Sequence, residues 1–81
     1  MKSTEINKSL IGKKVSCMNL GKTVTGVITD IYEDAEHIGV RINHEPIQWG
    51  ADTFTTLLSC ACKGTELMIA TEGNLKHTKL I

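Results

Sequence analysis

The stretch VTGVITDIYEDAEHIGVRINHEPIQW, residues 24–49, decides the fold. It contains the segment HIGVRIN, residues 37–43, in which apolar and polar residues alternate strictly. Such alternation is typical of a β-strand with one buried and one solvated face, because successive side chains of a strand point to opposite sides. The pattern predicts that Ile38, Val40 and Ile42 face a core. The fold class is therefore predicted to be mainly β.

The preceding run, residues 23–32, predicts a longer strand because it is rich in β-branched residues. Its apolar positions change phase, from even-numbered Val24 to odd-numbered Val27. A bulge or bend at Gly26 would reconcile the two halves, since an extra residue re-aims the side chains and glycine tolerates the required dihedral angles. Residues 33–36, EDAE, then form an acidic turn, and the whole stretch becomes a hairpin.

Further strands flank this hairpin. Residues 13–18 predict a first strand with Val15 and Cys17 inward, followed by a turn over residues 19–22. Residues 45–49 predict a short separate strand. Pro46 would confine that strand to an edge or a strand start, because proline has no backbone N–H to donate to a ladder.

Residues 53–62 admit two interpretations. A short helix is favoured, because Asp52 can act as an N-cap and helical spacing relates Phe54, Leu57, Leu58 and Ala61. Read as a strand, the segment would instead place on one face Phe54, Thr56, Leu58, Cys60 and Cys62. Beyond it, residues 66–70 and 75–81 are predicted to pair as a closing hairpin.

Length and composition indicate one small soluble domain. The chain has 81 residues, of which 41% are hydrophobic and 22% charged, values that are ordinary for a globular domain. Residues 1–10 are polar and are expected to form either part of the domain or a flexible arm. They contain no secretory signal, and no segment is apolar enough to span a membrane. An odd number of cysteines, three, fits a reducing compartment, so a cytoplasmic location is expected.

At the level of pattern, the chain resembles the small five- to six-stranded barrels of the Src-homology, KOW and Tudor type. The order of hairpins, the run GVITDI at residues 26–31 and the short final strands carry the resemblance. It implies a small barrel whose ligand lies across aromatic side chains, for which Tyr32 and Trp49 are the candidates. Barrels of this size are common among accessory proteins of phages and mobile elements, so the resemblance also implies an accessory role of this kind.

Catalytic and metal chemistry find little support in the sequence. Cys60 and Cys62 supply at best two ligands of four, and nothing places Cys17 beside them, so no metal site is expected. The acidic turn lacks the glycine and terminal glutamate of a calcium loop. Neither a nucleophile elbow nor a phosphate-binding glycine loop occurs. We therefore predict a protein that is not an enzyme and needs no cofactor.

The charges are distributed unevenly along a chain whose net charge is zero. Residues 1–22 contain five lysines and one glutamate, whereas residues 23–52 contain six carboxylates and one arginine. A small neutral domain without catalytic groups is expected to bind a protein partner or to act as a regulatory module. The binding residues expected for this function are Tyr32, Glu33, Asp34, Glu36 and Trp49.

Weak nucleic-acid binding is the alternative function. Its expected phosphate contacts are Lys8, Lys13, Lys14 and Lys22, with Trp49 as a stacking surface. Two positions are open for Trp49 itself, because a single tryptophan beside a glycine can plug the end of a barrel or stay partly exposed as a binding residue. The plug is the favoured interpretation.

Overall fold

The fold is mainly β, as predicted. The computed structural model describes Met1, residues 3–63 and residues 77–81. Five strands make up the described fold: β1 (Lys14–Asn19), β2 (Lys22–Glu33), β3 (His37–Trp49), β4 (Asp52–Cys62) and β5 (Lys79–Leu80). Two short 3-10 turns precede them, at Ser3–Glu5 and Lys8–Leu10. Among the described residues, no helix has the length and apolar character needed to cross a bilayer.

The strands form one antiparallel sheet in the order β4-β3-β2-β1-β5. Within the described residues this sheet is open, because no backbone ladder joins β4 to β5, and the expected closed barrel is not observed. The two edges nevertheless approach each other on the buried side. The hydroxyls of Ser59 in β4 and Thr78 before β5 lie 3.2 Å apart, and both side chains are fully buried. The sheet is therefore curled, with a side-chain contact at its seam.

The core lies on the concave side of this curled sheet. The predicted inward residues of β1 and β3 are confirmed, since Val15, Cys17, Val40 and Ile42 are fully buried and Ile38 packs against the same cluster. Ile6, directly after the first 3-10 turn, and Leu10, in the second, also belong to the core. The amino-terminal residues thus contribute apolar side chains to the core, and Met1 packs against it.

The bulge in β2 lies three residues after the predicted position. The pairing of β2 with β3 shifts between Ile28 and Asp30, not at Gly26. Even-numbered residues therefore stay inward until Ile28, which is fully buried, and Val27 is exposed. Gly26 is needed for a different reason. An added Cβ would lie 2.6 Å from Ile42 Cγ2 and 2.8 Å from the Asn43 carbonyl oxygen, so only glycine lets β2 approach β3 this closely.

The predicted short strand at residues 45–49 is the continuation of β3. Proline is tolerated there because the pairing of β3 with β4 shifts between Asn43 and Ile47, which places Pro46 in the irregular stretch. The buried side chain of His44 stabilises this irregular stretch with two hydrogen bonds. Its Nδ1 donates to the Glu45 carbonyl oxygen at 2.7 Å, and its Nε2 accepts from the Asn19 side-chain amide at 3.1 Å.

The helix favoured for residues 53–62 is wrong, because this segment is strand β4. Ten residues of β3 pair with β4, and this pairing, together with three β-branched threonines, outweighs the helical spacing. The buried face of β4 consists of Leu57, Ser59 and Ala61. Most of the predicted closing hairpin lies outside the described residues; within them, β5 pairs with β1 through Val15 and Leu80.

Candidate functional site

The acidic turn, residues 32–36, is organised around one carboxylate. Asp34 Oδ2 accepts a hydrogen bond from the Tyr32 hydroxyl at 2.6 Å. Asp34 Oδ1 accepts from the backbone N–H groups of Glu36 at 2.8 Å and His37 at 2.6 Å. These bonds favour the charged carboxylate and lower the pKa of Asp34 to about 2, with the Tyr32 hydroxyl as the largest cause. The turn is thus held by its own acidic residue.

A second acidic residue of the turn also has a partner. Lys63 Nζ lies 2.5 Å from Glu33 Oε2, and the Lys63 backbone N–H donates to the Glu36 carbonyl oxygen at 2.7 Å. His37 Nδ1 lies 3.5 Å from Asp34 Oδ1. Much of the negative charge that the sequence concentrates here is therefore engaged within the chain.

The β3–β4 hairpin tip, residues 47–54, lies at the other end of β3. Trp49 pairs directly with Asp52, and Ile47 pairs with Phe54. Directly paired residues and residues two apart share one side of a hairpin, so these four side chains lie on one side. Ile47 is buried, whereas Trp49 is 55% exposed and Phe54 is 38% exposed. Two exposed aromatic side chains therefore lie on the same side of the tip as the buried Ile47.

The hairpin tip is braced on its opposite side. Gly50 has a φ of 61° at the first position of the two-residue loop, where type II′ turns require glycine. The Gln48 side-chain amide donates to the Gly50 carbonyl oxygen at 3.1 Å. Thr53 Oγ1 donates to Gln48 Oε1 at 3.0 Å. The two aromatic side chains therefore stand on a fixed backbone.

The structure separates the residues predicted to bind a partner. Tyr32, Glu33, Asp34 and Glu36 come together at the acidic turn, but Trp49 does not join them. The two places lie at opposite ends of strand β3, which has 13 residues. The expectation that Trp49 plugs the core is wrong, because the side chain is mostly exposed. Phe54 and Asp52 were missed as surface residues because they were assigned to a helix.

The four lysines proposed for nucleic-acid contact are also divided. Lys14 begins β1 and pairs with Val27, whereas Lys22 pairs with Asn19 at the other end of the same ladder. Lys8 lies in the second 3-10 turn, and Lys13 directly precedes β1. They therefore do not form one continuous patch along the β1–β2 hairpin.

The cysteines lie on different faces of the sheet. Cys17 is buried in the core, and burial is the main cause that raises the pKa of its thiol. Cys60 and Cys62 lie on the other face, at the end of β4, and are half-buried. Within residues 3–63 and 77–81, no three or more histidine, cysteine, aspartate or glutamate side chains are arranged to hold a metal ion.

Comparison with known proteins gives one family. No curated protein and no solved structure shows significant similarity to the chain. A family model described as "Domain of unknown function (DUF7258)" matches residues 1–80. Since the match covers nearly the whole chain, this protein belongs to the DUF7258 family.

Proposed function

We propose that this protein is a non-enzymatic protein-interaction module that contacts its partner through the β3–β4 hairpin tip. The observation that carries the proposal is the exposure of Trp49, with Phe54 beside it on the same side. Tryptophan is enriched among residues that dominate protein–protein binding energy, because one side chain buries a large apolar area and keeps a hydrogen-bond donor.

The bracing of the tip supports the proposal. Binding costs free energy when loops and side chains must be ordered, and a backbone held in advance reduces that cost. The type II′ turn at Gly50 and the two hydrogen bonds of Gln48 hold the tip before any partner arrives. The aromatic pair can then be covered without rearrangement of the strands.

The acidic turn takes a secondary role in this proposal. Asp34 has three hydrogen-bond donors and Glu33 has Lys63, so a partner would have to compete with these contacts. Glu36 and the Tyr32 ring, which is 41% exposed, are the groups of the turn most available to a partner. They are expected to adjust the rate of association more than the affinity.

The alternative function, nucleic-acid binding, is ranked second because the four lysines are divided along the β1–β2 hairpin. Binding to generic oligonucleotides near 150 mM salt is expected to be no tighter than about 10⁻⁶ M, as is typical of nonspecific complexes. Fluorescence anisotropy measures this directly. Submicromolar binding that is lost in the double variant Lys13→Glu, Lys14→Glu would place nucleic acid first.

The finer family likeness stays a proposal as well. The meander of four long strands and a short fifth strand is compatible with the Src-homology, KOW and Tudor barrels. We also propose an accessory role in a phage or mobile element and a cytoplasmic location. One domain over residues 1–81 remains a prediction.

Affinity capture with cross-linking tests the proposed function. The bait is the full chain in three forms: parent, Trp49→Ala and Tyr32→Ala. We expect a protein that is captured by the parent and by Tyr32→Ala, and lost with Trp49→Ala. Circular dichroism must show that all three forms are folded. Loss with Tyr32→Ala alone would move the binding surface to the acidic turn.

A further inference from the structure

One carboxylate at the hairpin tip differs from those of the acidic turn. Asp52 is exposed and lies directly opposite Trp49 in the β3–β4 ladder. Within the described part of the chain, no ion pair involves Asp52, whereas Glu33 is paired with Lys63 and Asp34 is hydrogen-bonded three times. A carboxylate without an internal partner keeps its full attraction for an external cation.

The aromatic residue beside this carboxylate is equally uncommitted. Among the residues that the structure describes, the Trp49 indole N–H meets no acceptor, and the ring is 55% exposed. Phe54 stands diagonally across the ladder on the same side, within the roughly 7–8 Å that relates such neighbours. Two aromatic rings and one carboxylate therefore share one side of a braced hairpin.

This combination has one chemical preference. The face of an indole attracts a cation, and a carboxylate accepts two hydrogen bonds from a guanidinium fork. Arginine satisfies both because its planar group stacks on a ring while its edge donates to oxygen. We infer that the hairpin tip binds an arginine side chain of the protein partner, between the Trp49 ring and the Asp52 carboxylate. This inference rests on the proposed function and names the chemistry of the partner.

The same charge disfavours two other occupants. A phosphate backbone would bring negative charge toward Asp52, which repels it, although a base could stack on Trp49. A purely apolar segment would cover the rings but would bury Asp52 without a partner, and this costs free energy. An arginine removes both difficulties because it neutralises the carboxylate that it helps to bury.

Trp49 is the only tryptophan of the chain, so its fluorescence reports on this site. The probe is a heptapeptide in which three arginines alternate with glycines, titrated at low salt into the full chain. In a matched peptide, citrulline replaces each arginine, which keeps the shape of the side chain and removes its positive charge. We expect the citrulline peptide to bind about tenfold more weakly, since it loses both a cation–π contact at an exposed ring and the ion pair with Asp52. A lysine peptide should fall between the two.

Variants locate the effect. Asp52→Asn, which keeps the size of the side chain, should weaken the arginine peptide by roughly three- to tenfold. Asp30→Asn, the same substitution at an exposed carboxylate of β2 opposite Arg41 and away from the tip, serves as the matched control and should leave the affinity unchanged. Equal binding of the arginine and citrulline peptides, or an unchanged affinity in Asp52→Asn, would overturn the inference. Tighter binding of a single-stranded oligonucleotide than of the arginine peptide would overturn it as well.

Partner capture separates this inference from the proposed function. If the protein captured by the parent is lost with Trp49→Ala and retained fully with Asp52→Asn, the tip binds a partner but not through arginine. If the protein is retained with Trp49→Ala, the proposed function itself fails. Weakened capture with both variants, together with the peptide result, supports both.

Discussion

Replacing Gly26 by alanine tests the packing of β2 against β3. The added Cβ would lie 2.6 Å from Ile42 Cγ2, 2.8 Å from the Asn43 carbonyl oxygen and 3.0 Å from His44 Cα. Carbon atoms prefer separations of about 3.5–4.0 Å. Two of the three atoms belong to the backbone of β3, and the third belongs to a fully buried side chain. The strands must therefore separate for the methyl group to fit.

The expected cost follows from two opposing effects. Overpacking of a filled site typically costs about 1–3 kcal/mol, while replacing glycine restricts the unfolded chain and returns roughly 0.4–1 kcal/mol. Because backbone has to move, we expect the upper part of the range, a net loss of about 2 kcal/mol. A domain of this size has only about 3–5 kcal/mol from its core. The midpoint of thermal unfolding should then fall by roughly 8–16 °C.

Gly50→Ala is the matched control. Nothing lies within 4 Å of a Cβ at Gly50, but its φ of 61° strains any other residue, so a loss of about 1–2 kcal/mol is expected from the backbone alone. Urea unfolding followed by circular dichroism measures both variants. A Gly26→Ala protein whose unfolding midpoint equals that of the parent, in an experiment in which the midpoint of Gly50→Ala falls, would refute the close approach of β2 to β3.

Three further outcomes are expected. Trp49→Ala should lower the free energy of unfolding by at most about 1 kcal/mol, because the side chain is mostly exposed; a loss of several kcal/mol in chemical denaturation would restore the core assignment. Leu20→Asn should raise stability by about 0.5–1 kcal/mol, because Leu20 has a φ of 52° in the β1–β2 turn and asparagine tolerates that region; Leu20→Ala, which keeps the strain, should show no gain. Folding lowers the pKa of Asp34 from 3.8 to about 2, so its contribution is complete above pH ~4 and is lost as the pH falls through ~2. Carboxyl titration by NMR should show this midpoint, and Tyr32→Phe should move it upward; an unmoved midpoint would contradict the hydrogen bond.

Local patterns were sufficient to predict the strands that alternate. The alternation of apolar and polar residues was enough to predict the buried face of residues 37–43 and of Val15 and Cys17. The turns were equally legible, because Gly21 and the acidic residues 33–36 interrupt runs of β-branched residues. Strand alternation and turns depend on residues that are close in sequence, so one sequence is enough to predict them.

The predictions were wrong where the local structure depends on contacts with residues far away in sequence. Residues 53–62 match a helix and a strand equally well by spacing, and only the ladder with β3 selects the strand. The role of Gly26 depends on Ile42 and Asn43 across the sheet, which the sequence does not place beside it. The same holds for the candidate site. Its aromatic pair requires Trp49 and Phe54 to be neighbours, and an assignment of β4 as helix conceals this.

The order of the strands also governs how quickly the chain can fold. Among the described strands, β1, β2, β3 and β4 pair with strands next to them in sequence, apart from the contact of β1 with β5. Each of these three hairpins can form from local contacts within microseconds. The pairing of Val15 with Leu80 joins residues far apart in sequence, and we expect such a non-local contact to form more slowly than the local hairpins. The carboxyl-terminal strand should therefore dock last, onto a meander that is already assembled, and should be the first strand to detach when the protein unfolds.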